Sequence, residues 1–255
     1  MADKPNSPTV FIPVTAEDEA RRKRRIWLSI CAGALAVLAI AGLLYKNWTD
    51  PLHAKESYDA GVRYLRAARY DQAILAFDRA TSLQSSMADA YLMRARAYTA
   101  LSRTENAIRD FTRVIDLRPS DAQAMLERGQ AYLESKDYPS ALADANRAID
   151  SKAQFAAAYN LRGQILRLTG NPQKALEDFT RAVQIAPNAD NYFQRAATYQ
   201  AMGEHRLAIE DFDEVIAYQP DESPAYFARA ESRRAVGDLG GAKADHDRGR
   251  IIDGR

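Results

Sequence analysis

Small and apolar residues recur along residues 54–255 at the spacing of paired amphipathic helices. Six alanines, each near the start of a predicted second helix, follow one another after 34, 34, 34, 33 and 34 residues: Ala73, Ala107, Ala141, Ala175, Ala208 and Ala242. Twelve residues before each of them lies another small residue, in the predicted first helix: Gly61, Ala95, Gly129, Gly163, Ala196 and Ala230. Small residues at facing positions let two helices approach closely. The pattern predicts six stacked helix–turn–helix units that start near residues 54, 88, 122, 156, 189 and 223.

Larger residues keep the same period. Nine residues before an alanine lies Tyr64, Tyr98, Tyr132, Leu166 or Tyr199, and twelve residues after one lies Pro119, Pro187 or Pro220. These offsets resemble the W-x2-L-G-x2-Y, A-x3-F and P signature of the tetratricopeptide repeat. The resemblance implies an all-α fold, a right-handed α-solenoid in which neighbouring units bury a core that one helix pair cannot bury alone.

An arginine in the first helix and an aspartate sixteen residues later occur together in five of the six units. The pairs are Arg94 with Asp110, Arg128 with Asp144, Arg162 with Asp178, Arg195 with Asp211, and Arg229 with Asp245. The first unit has Ala60 and Ala76 at these two places, so both charges are absent together. We therefore predict a bidentate, partly buried ion pair within each of the five units. Its predicted role is structural rather than catalytic.

The amino-terminal part of the chain has a different character. Residues 1–20 contain prolines and acidic residues without a helical or strand period, and predict a disordered arm. A basic cluster and an apolar stretch of 20 residues without a charge follow within residues 21–48. As a helix, that stretch would span roughly 30 Å, the hydrocarbon thickness of a bilayer. It predicts a single transmembrane helix, which a short linker at residues 49–53 joins to the repeats.

Charge around this helix predicts its orientation. Five basic residues precede it as RRKRR at 21–25, and Lys46 alone follows closely. The positive-inside rule therefore keeps the amino terminus cytoplasmic and puts the repeats across the membrane. A cleavable signal peptide is the open alternative, with the small residues AIA at 39–41 as its cleavage site.

Composition narrows the possible chemistry. The formal net charge is +1, and residues 51–255 carry 28 basic and 29 acidic groups, which argues against nucleic-acid binding. The single cysteine, Cys31, excludes an intrachain disulfide. His53, His205 and His246 are scattered without the spacing of a metal site. We therefore predict no catalytic residue, no metal site and no cofactor.

The resemblance also implies that the first helices line a concave groove for a protein or peptide partner. The positions that carry over are Lys55, Tyr58, Leu92, Arg96, Leu126, Gln130, Asn160, Gln164, Arg167, Phe193, Gln200, Phe227 and Arg234. The alternative for Phe193 and Phe227 is packing within their own repeats. Tyr58 and Val62 stand where the family's clamp for chaperone tails has lysine and asparagine, so binding of such tails is not expected.

These patterns predict a non-enzymatic, membrane-anchored scaffold or adaptor whose repeats face the periplasm of a bacterial inner membrane. Arginine outnumbers lysine 27 to 8, which fits a GC-rich bacterial gene. Two alternatives share the architecture. One is an organelle-surface import receptor with its repeats in the cytosol, and the other is a regulatory subunit of a membrane-bound enzyme.

Overall fold

The computed structural model describes residues 16–254, apart from the side chains of Asp18, Leu44 and residues 46–49. The described part is all-helical, with twelve helices and no strand. Their bounds are α1 Ala16–Arg66, α2 Tyr70–Leu83, α3 Ala88–Ala100, α4 Thr104–Leu117, α5 Ala122–Glu134, α6 Tyr138–Ser151, α7 Ala156–Leu168, α8 Pro172–Ile185, α9 Ala189–Ala201, α10 His205–Tyr218, α11 Ser223–Ala235 and α12 Leu239–Ile252. The chain divides into two compact units, residues 1–53 and 54–255.

Helix α1 corrects two expectations about the amino-terminal part. It begins at Ala16, so residues 16–20 of the expected disordered arm are helical. Alanines and acidic side chains favour a helix start there, because carboxylates interact well with the first turn. The helix also runs through residues 49–53, where a linker was expected. Pro51 removes one backbone hydrogen bond, but its fixed φ is compatible with a helix. Residues 1–15 of the expected arm lie outside the described residues.

A stretch of α1, Glu19–Leu43, is long and apolar enough to cross a membrane. Its large apolar side chains, such as Trp27, Leu35 and Leu38, are 68–70% exposed. In water these side chains would expose a large apolar surface, whereas lipid would accommodate them. The capacity of this stretch to cross a membrane follows from its length and composition alone.

The second unit is an α-solenoid of six helix pairs. In the first pair, the end of α1 packs on α2, where Gly61 faces Phe77. The later pairs are α3 with α4, α5 with α6, α7 with α8, α9 with α10, and α11 with α12. The alanines that head the second helices are 0–3% exposed. Close packing explains the small residues opposite them: a Cβ added to Gly163 would lie 2.8 Å from the ring of Phe179. The small residues recur every 34 residues because they lie where the two helices of each unit contact each other.

The third unit fills its core differently. Ala145 stands where four other units have a buried phenylalanine, at Phe77, Phe111, Phe179 and Phe212. Leu161 of the next unit occupies the neighbouring space, since its Cδ2 lies 2.9 Å from a Cβ built on Gly129. A side chain from the adjacent repeat thus compensates for the missing ring.

The turn inside each unit needs one residue with a left-handed backbone. Positive φ occurs at the equivalent position of all six units: Ala68, Ser102, Lys136, Gly170, Gly203 and Gly237, with φ between 54° and 87°. Glycine adopts this conformation without steric cost, whereas a residue with a Cβ is strained in it. Three turns therefore use the preferred residue, and three carry strain.

We predict that Gly170→Ala lowers the free energy of unfolding by about 1 kcal/mol, because φ at this position is +80°. Gly240→Ala is the matched control. It lies in the first turn of α12 without a positive φ, and a Cβ there meets only Asp238 Oδ1 at 4.0 Å. The control should be neutral or stabilising by up to about 1 kcal/mol. Urea unfolding of both variants checks this, and equal effects would contradict it.

Candidate binding groove

Five arginines on first helices each contact the aspartate that sequence pairs with them. In the fourth unit, Arg162 donates from Nε to Asp178 Oδ2 at 2.8 Å and from Nη2 to Oδ1 at 2.7 Å. The same two-bond fork joins Arg94 to Asp110, Arg128 to Asp144, Arg195 to Asp211 and Arg229 to Asp245, at 2.6–2.9 Å. All five aspartates are buried. We call these contacts the arginine ladder.

The ladder also joins neighbouring repeats. Nη1 of four of its arginines donates to a side chain in the second helix of the preceding unit: Asp78 for Arg94, Thr112 for Arg128, Asn146 for Arg162 and Asp213 for Arg229. Each acceptor lies sixteen residues before its arginine, and sequence reasoning that considered only the paired acids missed it. The recurring acceptors at this offset were the signal that could have revealed it.

Arg195 is the exception among the ladder arginines. The preceding loop is one residue shorter, since helix α8 ends at Ile185 and α9 begins at Ala189. The position equivalent to the other acceptors is therefore Thr180, fifteen residues before Arg195. Within the described residues, Arg195 keeps its fork to Asp211 but makes no hydrogen bond to the preceding unit.

Aromatic rings and carboxylates both stabilise the ladder cations. Each guanidinium lies over a tyrosine ring, for example Arg162 over Tyr159 at 5.5 Å from the centroid, a cation–π contact. The hydrogen bond with Asp178 raises the pKa of Arg162 above its ordinary value, although burial opposes this. The carboxylate therefore more than offsets the cost of burying the charge. The arginines of the ladder therefore stay charged within the fold.

A groove runs along the first helices of the second to fifth units. Helices α5, α7 and α9 contact one another in succession and form its floor. One section, of about 620 Å³, is lined by α5, α7, α9 and the loops before α7 and α9. The adjoining section, of about 640 Å³, lies on α3, α5 and α7. Gln130, Leu133 and Gln164 line both sections, so the groove is continuous.

The structure brings part of the predicted lining into this groove. Arg96, Gln130, Asn160 and Gln164 line it. Leu92 and Leu126 were wrong as lining residues. They are 9% and 3% exposed, because they pack in the hydrophobic core formed by residues of the second to fourth units.

The three predicted aromatics pack within their own repeats. Tyr58 lies against Phe77 with ring centroids 5.9 Å apart, and Phe193 lies edge-on against Phe212 at 5.6 Å. Phe227 packs on His246 at 5.5 Å. All three remain partly exposed. Phe193 also borders a small cavity of about 140 Å³ beside Val215 and Pro224. Lys55 and Arg234 are exposed.

Three side chains of first helices bind to the next repeat, and of these only Arg96 lines the groove as described above. Arg96 makes a two-bond fork with Glu127, in which Nε donates to Oε2 at 2.8 Å. Arg167 donates from Nη2 to Gln194 Oε1 at 2.9 Å. Gln200 donates from Nε2 to the Ala228 carbonyl at 3.0 Å. Several predicted lining residues therefore have partners within the chain before any ligand binds.

An amide network at the fourth and fifth units was not predicted. Gln164 Nε2 donates to Asn160 Oδ1 at 2.6 Å, and Asn160 Nδ2 donates to Asn191 Oδ1 at 2.7 Å. Asn191 is 4% exposed and donates to the Ala186 carbonyl at 2.8 Å. The buried Asn191 is held by the shortened loop, where Asn188 Oδ1 accepts from its backbone N–H. In the sequence, this network was indicated only by the 33-residue interval between Ala175 and Ala208.

The potential metal-ligating side chains are scattered in the described part of the chain. Within residues 16–254, no three His, Cys, Asp or Glu side chains come together to hold a metal ion. His205 lies at the start of α10 and His246 against Phe227, in different units. The groove is lined mainly by amides, small apolar groups and paired charges, which suits binding.

Comparison with known proteins identifies the repeat. A family model described as "Tetratricopeptide repeat" matches residues 58–122, 92–154 and 126–190, and a second model with the same description matches residues 189–222. Together they cover well over half of the chain. The chain belongs to the tetratricopeptide repeat family. Proteins built from these repeats generally act as non-enzymatic scaffolds.

Individual tetratricopeptide repeat proteins resemble this chain to different extents. The J domain-containing co-chaperone DNJ1 of Cryptococcus neoformans is 35% identical over 57 residues, which are 22% of this chain and 10% of DNJ1. This chain therefore matches about a tenth of that relative. Two solved structures share the fold over more of the chain.

PilW, a widely conserved type IV pilus biogenesis factor, has 16% identity and a TM-score of 0.70, with 78% of this chain and 92% of PilW covered. YrrB, a tetratricopeptide repeat protein with an unusual peptide-binding site, has 20% identity and a TM-score of 0.56, with 70% and 92% covered. At these identities, the likeness concerns the fold alone.

We predict that the ladder pairs are strongly coupled. Arg162→Ala should lower the free energy of unfolding by up to about 3 kcal/mol, because it leaves the buried Asp178 carboxylate unpaired. Asp178→Ala should have a similar effect, and the double variant should lose much less than the sum. Thermal and urea unfolding of the four proteins measure the coupling.

An exposed pair provides the control. Arg118 also makes two hydrogen bonds to Asp89, from Nη1 and Nη2 at 2.8 Å, but the two side chains are 44% and 52% exposed. Their coupling should be about 0.2–1 kcal/mol. Additive losses at Arg162 and Asp178 would contradict a stabilising contact there.

Proposed function

We propose that this tetratricopeptide repeat protein is a membrane-anchored scaffold that holds an extended segment of another protein in its groove, without catalysis. The observation that carries the proposal is the continuous, amide-lined groove on α3, α5, α7 and α9. Several of its polar side chains, such as Asn160 and Gln164, are fixed by hydrogen bonds within the chain, so a ligand would meet a partly preorganised surface. Preorganisation lowers the entropic cost of binding.

The chemistry of the lining favours an extended segment. Gln130, Gln164 and Gln194 carry both donors and acceptors, which can match the backbone N–H and C=O groups of a bound chain. Phe155 and Leu133 add apolar contact area in the same section. The likeness in fold to YrrB, whose description includes a peptide-binding site, also supports this class of ligand.

The membrane anchor and its orientation are part of the proposal. The charge-free residues 26–43 of the stretch Glu19–Leu43 of α1 would serve as the single span. The five basic residues at 21–25 would stay in the cytoplasm, which puts the groove in the periplasm of a bacterial inner membrane. The partner would then be another protein of the cell envelope.

We predict that photoreactive groups in the groove label a partner selectively. Photoreactive amino acids at Gln130 and Asn160, in the full chain in native membranes, should crosslink a protein several-fold more efficiently than one at Glu177. Glu177 is exposed on the second helix α8 and serves as the control. Equal labelling at all three sites would overturn the groove as the binding surface.

We predict that a reporter fused after the last residue is periplasmic. In a bacterial host, an alkaline phosphatase fusion should be active and a green fluorescent protein fusion dark, because the first needs the periplasm and the second the cytoplasm. Neutralising the basic residues at 21–25 should weaken this preference, as the positive-inside rule requires. A fluorescent fusion of the natural sequence would overturn the orientation.

A further inference from the structure

Arg167 differs from the other half-buried arginines on the first helices of the described repeats. The five ladder arginines and Arg96 each bind a carboxylate at 2.9 Å or less, and Arg233 binds Asp245 at 2.9 Å. Arg167 is also partly buried, but its one hydrogen bond goes to the neutral amide of Gln194. Burial lowers the pKa of Arg167 below its ordinary value, and no carboxylate acts against this.

An unpaired, partly desolvated cation is costly for a protein to keep. Arg167 lies in the last turn of α7, where the helix dipole offers some compensation. That compensation concerns the helix end, whereas the guanidinium reaches across to the middle of α9. There it meets Gln194, which lines the groove. The unused donors of the cation are therefore beside the proposed binding surface.

Gln194 orients this site. Its Oε1 accepts from Arg167, so its Nε2 is the group left for a ligand. No acceptor for this amide nitrogen occurs among the described side chains and backbone groups. A guanidinium and an amide N–H side by side match the two oxygens of a carboxylate.

We propose that the segment bound in the groove carries a carboxylate that pairs with Arg167 and Gln194. This inference rests on the proposed function and specifies its ligand. The remaining charges limit the ligand further: Glu134 and Asp190 line the groove and are exposed, and Glu127 is neutralised by Arg96. These two exposed carboxylates would repel a ligand that carries many negative charges. The ligand is therefore a segment with a local acidic side chain.

Peptide selection on the full chain tests this without knowledge of the partner. The probe is a library of random twelve-residue peptides fused to a carrier at their carboxyl end, so that none offers a free terminal carboxylate. The target is the protein in lipid nanodiscs. Selected peptides should share an Asp or Glu at one position, and a consensus without an acid would overturn the inference. A second library with free carboxyl ends distinguishes a terminal carboxylate, and selection from that library alone would contradict the side-chain assignment.

The variants then assign the acid to its partner. Arg167→Gln should weaken binding of the selected peptide on the order of tenfold to a hundredfold, the value of hydrogen bonds to a charged group. Replacing the peptide's acid by its amide should cause the same loss, with little further loss in Arg167→Gln. Arg167→Lys should retain part of the affinity, since it keeps the charge but not the planar fork. Arg181→Gln, an exposed site on α8, should have no effect.

Thermal unfolding of the same variants separates binding from stability. If Arg167 served only the end of α7, Arg167→Gln would lower the melting temperature and leave peptide affinity unchanged, which would overturn the inference. Gln130→Ala tests the groove independently. If the selected peptides lose affinity for Gln130→Ala but not for Arg167→Gln, the carboxylate site is refuted and the groove is retained. Peptides indifferent to both refute the groove, and this inference with it.

Discussion

The two-bond fork between a first-helix arginine and the aspartate sixteen residues later ties the helix pairs of the solenoid together. Each aspartate is buried, so its charge must be matched within the protein. The guanidinium provides that match in one orientation, because Nε and Nη2 address two oxygens at once. Its third nitrogen, Nη1, then points to the preceding repeat. One side chain thus fixes both the pairing of helices and the stacking of repeats.

The same constraint makes exceptions informative. In the first unit both members of the pair are absent, at Ala60 and Ala76, and no charge is left unmatched. Arg195, which follows the shorter loop, keeps its fork to Asp211 without a hydrogen bond to the preceding unit among the described residues. Arg167 lies outside the ladder and keeps a cation without a carboxylate. A cation of this kind adds little to the stability of the fold but can pair with a carboxylate of the proposed ligand.

The groove and the apolar part of α1 together suit the proposed docking function. Successive first helices form a preorganised surface of amides, and a shortened loop places the buried Asn191 beneath it. The apolar part of α1 has the length of a bilayer span. A protein of this design would hold a partner near a membrane and leave the chemistry to that partner.

Sequence determined the repeat, its six units and the partners of the ladder, because each depends on a spacing that recurs several times in one chain. It also located the apolar span, which depends on length and composition alone. It did not separate Leu92 and Leu126 from Asn160, because all three occupy the same position of their repeats and the family resemblance assigns that position to the groove. Only the packing decides which of these side chains belongs to the core and which lines the groove. The isolation of Arg167 likewise required the tertiary structure, because the distance from a cation to the nearest carboxylate is set by how the helices stack.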